Sequence, residues 1–151
     1  MPASSPRPRF ALETTLRSSI TYEHAKLARE NGFRVFMRFI ALDTVEHHIQ
    51  RVKRRAARGG HSASESTLRR VHASSLSNLR VALEPDRSGI EIIRIYDNTA
   101  AETRPRLILA ARLGNVVSLA DPFPQWLAEA LGWSHRDLEN HRRKLIGRGQ
   151  R

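Results

Sequence analysis

The chain has 151 residues, 40% of them apolar and 27% charged, with no cysteine and a formal net charge of +11. This profile fits one globular domain stabilised by a buried core, and it excludes disulfide staples, thiolate metal sites and cysteine nucleophiles. Neither an apolar run long enough to span a bilayer nor an apolar leader behind the first arginines is present, so the expected compartment is the cytoplasm.

Residues 1–8, built from Pro, Ser and Arg without periodicity, read as a disordered N-terminus, and a compact domain is expected over 9–133. Phe10-Ala11-Leu12 reads as a short strand ending at Glu13-Thr14-Thr15, followed by a helix with Leu16, Ile20, Ala25 and Leu27 on its apolar stripe and Asn31-Gly32 at its end. The run from Phe33 to Leu42 is apolar at both odd and even positions, which predicts a central strand covered on both faces in a parallel sheet. Asp43-Thr44-Val45-Glu46 opens a helix over about 44–58, closed by Gly59-Gly60. A second helix is expected from about Glu65 to Leu83, with Pro85-Asp86 closing it, so the two form a helical hairpin around a small polar connection.

Ile90–Tyr96 and Arg106–Ala111 read as strands separated by the turn residues Asp97-Asn98-Thr99, with a short strand around 115–119. Pro122-Phe123-Pro124 precedes a helix over 125–131, whose Trp126 reads as a core aromatic, as does Trp133 beyond it. Residues 134–151 form a polar, basic tail. The whole predicts a layered α/β domain, mostly parallel sheet flanked by helices.

Four places are chemically suggestive. Glu13-Thr14-Thr15 stands at a strand end, where open parallel sheets bind ligands, so it reads either as ligand-binding hydroxyls and carboxylate or as a helix-capping cluster. Arg51, Arg55 and Arg58, at i, i+4 and i+7, share one side of a helix; like charges at this spacing repel, and a bound polyphosphate would neutralise them, as solvent would on a plain surface. Arg70 lies on the polar side of the second helix, with Asn78 within a quarter turn of that side, and His61 beside the glycines is placed to meet a phosphate or to stand in solvent. Asp97-Asn98 either orients a ligand or makes an Asx turn. The adjacent His47 and His48 face different ways on a helix and suggest no metal site. The basic tail carries no aromatic stacking pattern for nucleic acid.

In order, Glu13-Thr14-Thr15, Gly32-Phe33-Arg34-Val35, Arg51-Val52-x-x-Arg55 with Gly59-Gly60-His61, Arg70, Ser75-Leu76-x-Asn78 and Tyr96-Asp97-Asn98-Thr99 resemble the zeta toxin family of P-loop kinases over roughly 10–133. The resemblance implies a P-loop NTPase-like fold with a helical-hairpin lid, ATP with Mg²⁺ as cofactor, and phosphorylation of a sugar nucleotide such as UDP-N-acetylglucosamine. It places Glu13 with Thr14 and Thr15 at the sugar nucleotide, and Arg51, Arg55, His61 and Arg70 at the ATP phosphates and lid, supported by Asn78, Asp97 and Asn98. The 151 residues contain no G-x-x-x-x-G-K-[ST] loop and no counterpart of the family's base aspartate; Ala63-Ser64 replaces the usual Val-Pro and Val71 a second arginine. The expectation is therefore the C-terminal part of such a kinase, inactive alone, completed by an N-terminal segment or bound by an antitoxin-like protein. The alternatives are a non-catalytic interaction protein of a toxin–antitoxin system and a basic nucleic-acid binder.

Overall fold

The computed structural model describes residues 9–100 and 104–148, so the disordered N-terminus expected over 1–8 lies outside the described residues. Six helices and four strands follow in chain order: α1 (Ile20–Glu30), β1 (Phe36–Ala41), α2 (Val45–Ala56), α3 (Glu65–Leu79), the short α4 (Pro85–Ser88), β2 (Ile92–Asp97), β3 (Arg106–Arg112), β4 (Asn115–Leu119), α5 (Gln125–Leu131) and α6 (His135–Arg148). A 3₁₀ turn, Arg80–Leu83, joins α3 to α4, so the helix expected to run to 83 loosens four residues early. The two helices of the hairpin start on side-chain caps: Thr44 Oγ1 accepts from His47 N at 3.2 Å and Ser64 Oγ from Thr67 N at 3.3 Å.

The strands form one sheet in the order β1-β2-β3-β4. Only β1 and β2 are parallel; β2/β3 and β3/β4 are antiparallel. The mostly parallel sheet expected from the sequence is thus corrected to a mixed one, and connection length supplies the reason. A parallel neighbour needs a long crossover, here provided by α2, α3 and α4, whereas the links after β2 and β3 are too short to carry the chain back to the sheet's starting end. The β3–β4 link is the tight turn Leu113-Gly114, with φ of 47° and 74°. Two consecutive positive φ angles define the hairpin turn that favours Asn-Gly, and Leu113 is 46% exposed. Leu113→Asn is expected to stabilise the protein by about 0.5 kcal/mol, measured as a raised urea midpoint at constant slope.

Two further expectations change. Residues 10–12 do not join the sheet; instead the Phe10 ring meets that of Phe33 edge-on, centroids 5.3 Å apart. Moreover, β1 is not central but at the sheet margin, and its residues alternate, with Met37 and Phe39 against the core and Phe36, Arg38 and Ile40 exposed. The core lies on one side of the sheet. Ile93, Ile95, Ile108, Leu109 and Ala111 meet Tyr22 and Ala25 of α1, Leu79 of α3, and Leu127 and Leu131 of α5.

The basic segment after Trp133 is helical over its described length. Ser134 and Asp137 cap it reciprocally: Asp137 Oδ2 accepts from Ser134 N at 2.8 Å, and Ser134 Oγ accepts from Asp137 N at 3.3 Å. This four-residue signal stands in the sequence itself, Ser134-His135-Arg136-Asp137. Phe123, Trp133 and His141 stack in succession at 5.9 and 4.4 Å, and Arg142 pairs with Asp121 at 2.9 Å, tying α6 to the domain.

Candidate functional site

The parallel strands β1 and β2 end side by side, and the chain beyond them is laced together. Asn98 N donates to Ala41 O at 2.8 Å, and Asp43 N donates to Thr99 Oγ1 at 2.9 Å. Asp97 uses its side chain to accept from Thr99 N at 2.8 Å, which is an Asx turn, so of the two readings of Asp97-Asn98 the turn is realised for Asp97. Asn98 acts through its backbone: its carbonyl accepts from Arg51 Nη2 at 2.8 Å. Arg51, half-buried on α2, is thereby aimed at this sheet edge by a neutral group, which orients its guanidinium without cancelling its charge.

Helices α2 and α3 pack along each other as the expected hairpin. The hairpin's two carboxylates are both spent across it, Glu65 on Lys53 Nζ at 2.6 Å and Glu46 on Arg69 Nη1 at 2.7 Å. These bonds hold both carboxyls below the usual range. Arg54, Arg55, Arg58 and Arg70 are exposed and have no ion-pair partner among the described residues. Gly59 and Gly60 close α2: Gly60 N returns to Arg55 O at 2.9 Å, and a Cβ on Gly60 would stand 2.9 Å from that same oxygen. His61, next in line, is exposed.

His48 and His72 face one another between the two helices with ring centroids 6.1 Å apart. Burial lowers the His48 pKa below 6.5, and the charges of His72 and Arg51 push the same way. A histidine whose folded pKa is depressed contributes stability above its unfolded value, and that contribution is lost as pH falls through the folded one. The hairpin is therefore expected to weaken from about pH 6.5 downward. In His48→Phe, the acid limb of a stability–pH profile should be shallower; an unchanged limb would remove His48 as its source.

Glu13-Thr14-Thr15 leads into a strained turn. Leu16, buried at 1% exposure, has φ of +56°, a left-handed conformation rare for leucine. The turn is clamped to α3. Asn78 Nδ2 donates to Leu16 O at 2.9 Å, Ser75 Oγ donates to Thr15 O, and Tyr22 Oη donates to the Asn78 carbonyl at 2.7 Å. Thr14 Oγ1 serves the turn itself, accepting from Leu16 N at 3.1 Å and meeting Thr21 Oγ1 at 3.1 Å. Thr14 therefore closes a local turn and caps no helix, since α1 begins at Ile20 after Ser19 without a side-chain cap, while the side chains of Glu13 and Thr15 stand exposed. A shallow cleft of about 360 Å³ between this turn and α3 is lined by Arg17, Ser74, Ser77 and Asn78. Arg17 was not singled out by the sequence; its place directly after the Glu-Thr-Thr-Leu run was the available signal. A second, open cleft of about 590 Å³ lies between α2, α3 and α5, with Asp43, His72, Arg80 and Trp126 on its walls.

The structure therefore gathers Arg51, Asn98 and Asp97 at the sheet edge, and Asn78, Ser75 and the 13–16 turn beside α3. Arg55, Arg70 and His61 project from the hairpin, and no hydrogen bond joins them to Glu13 among the described residues. No family model matches the chain, and no solved structure matches it. An uncharacterized protein of Haemophilus influenzae is 35% identical over 60 residues, which is 40% of this chain and 43% of that protein. The chain thus matches less than half the length of this relative.

Proposed function

We propose that the α2–α3 hairpin binds the polyphosphate of a nucleotide and that the chain is the lid and acceptor-binding part of a zeta-toxin-like kinase. The observation that supports this reading is the set of exposed, unpaired arginines on a hairpin whose only two carboxylates are already taken. Clustered guanidinium groups repel, and their planar forks suit phosphate oxygens, so a polyphosphate relieves the repulsion and gains charge-assisted bonds. Arg51, Arg55 and Arg70 would hold the phosphates of ATP, which would supply the transferable phosphoryl group. Mg²⁺ would enter on the nucleotide's own oxygens, since no group of three or more His, Asp or Glu side chains suited to a metal stands among the described residues.

Glu13 and Thr15, exposed beside the clamped turn, are the residues assigned to a sugar nucleotide such as UDP-N-acetylglucosamine. Holding substrates is the part of the reaction these residues can perform. Cradling phosphate in a Gly-rich loop needs a motif that the 151 residues do not contain, and the aspartate to which the resemblance gives the acceptor proton has no counterpart among them.

Titration of the purified chain with ATP and with inorganic triphosphate tests the proposal. Saturable binding is expected, weakened at least about tenfold, or ~1.4 kcal/mol, when Arg51, Arg55 and Arg70 are replaced together by alanine. Equal affinity in the triple variant, or the absence of saturable binding, would overturn it. Metal-dependent phosphorylation of UDP-N-acetylglucosamine by the 151-residue chain alone would sink the assignment of a partial site.

A further inference from the structure

Strand β1 reads as an interior strand, yet among the described residues it has β2 on one side only. Across the sheet, register sets Phe36 beside Ile92, Arg38 beside Arg94, and Ile40 beside Tyr96, which in turn neighbours Leu107. On the side away from the core, Phe36 is 59% and Ile40 56% exposed, so two apolar rows flank a basic one. Arg34 covers Phe36 at 5.3 Å and reaches Glu91 at 3.5 Å, whereas Arg38 and Arg94 have no carboxylate partner among the described residues. Phe10, at 69% exposure, meets Phe33 edge-on ahead of the strand.

Sheet margins are normally blunted by charged side chains, proline, bulges or a covering element, and of these β1 has the charge of Arg38. The other margin follows this rule: the β3/β4 register shifts at a bulge and α6 packs against β4. β1 has neither proline nor a break in register with β2. A six-residue apolar strand with a regular free edge is a template for another strand.

We propose that this edge takes a strand from an acidic polypeptide, which pairs with the β1 backbone, lays apolar side chains on Phe36 and Ile40 and sets a carboxylate against Arg38. Charge selects this occupant over a second copy. Two copies bring +11 against +11, and antiparallel pairing about a two-fold axis at Arg38 sets that residue against its twin. An acidic strand converts the same basic row into cross-strand ion pairs.

The test uses the full chain and two synthetic strand peptides with isoleucine, a charged residue and isoleucine on one face, the charge being glutamate in one and lysine in the other. The glutamate peptide is expected to bind saturably and to slow hydrogen exchange of amides in 36–41. The lysine peptide should bind at least tenfold more weakly, and Arg38→Glu should reverse the preference. Since Phe36, Arg38 and Ile40 are exposed, these changes spare the core. Equal binding of both peptides, or binding of neither, would overturn the proposal. So would a concentration-dependent dimer in sedimentation that Ile40→Asp dissolves, which would assign the edge to self-association. None of these readouts depends on nucleotide binding by the hairpin.

Discussion

Gly89→Ala is expected to destabilise the protein by about 4 kcal/mol, a large fraction of the roughly 5–15 kcal/mol that holds a typical domain folded. Gly89 ends α4 with φ of +72° and is buried against α1, the first helix of the chain. A Cβ there would stand 2.5 Å from Lys26 N and 2.8 Å from both Ala25 C and Lys26 Cα. All three are helix backbone, so no side chain can swing away, and relief requires α1 to move off the core that its Tyr22 and Ala25 help to form. The left-handed backbone adds a second, smaller cost. Gly32 separates the two: its φ is +80°, but a Cβ there would meet nothing within 4 Å. Gly32→Ala should therefore cost only about 1 kcal/mol. Urea denaturation of both variants decides the matter, and equal losses would mean that the approach of α1 to Gly89 is not what limits the site.

Asn78→Ala is expected to cost about 2 kcal/mol and to loosen the 13–16 turn. The amide of Asn78 is the side-chain donor to the half-buried Leu16 carbonyl, and it pins a leucine in the left-handed region. Removing it leaves that carbonyl unsatisfied and frees the strained residue to relax. Asn78→Asp keeps the shape but offers no donor and sets a negative charge against the carbonyl, so it should cost at least as much. Exchange of the Leu16 and Arg17 amides should accelerate in both variants. An aspartate variant as stable as the native protein would show that packing, not the hydrogen bond, holds the turn. Because Glu13 and Thr15 flank this turn, the same variants are expected to weaken any acceptor bound there before they affect triphosphate binding at the hairpin.

These two positions differ in how far the sequence reveals them. Asn78 was readable as a polar residue near the Arg70 side of a helix, but nothing in its neighbourhood indicated a bond to a carbonyl 62 residues away. Nothing in the residues around Gly89 marks it out; its consequence comes from a helix that begins near residue 20. The α2–α3 hairpin was legible except for the end of its second helix, because Thr44, Ser64 and the Gly59-Gly60 pair act within a few residues of themselves. The cap of α6 was equally local and stands written in Ser134-His135-Arg136-Asp137.

By itself, then, the sequence determined the bodies of α1, α2, α3 and α5, the strand segments from 36 onward, the arginine row on α2 and the absence of a phosphate loop. Each depends on periodicity, on a cap or on residue type within one or two turns of chain. The tertiary structure alone decided the rest. Among the described residues it left Phe36–Ala41 with one neighbouring strand although its composition suits a sheet interior, gave residues 10–12 no partner strand, spent Glu46 and Glu65 on Arg69 and Lys53, and turned Arg51 toward the Asn98 carbonyl. Those outcomes depend on which distant segments meet, and an apolar strand has the same local pattern whether its second edge is paired or bare.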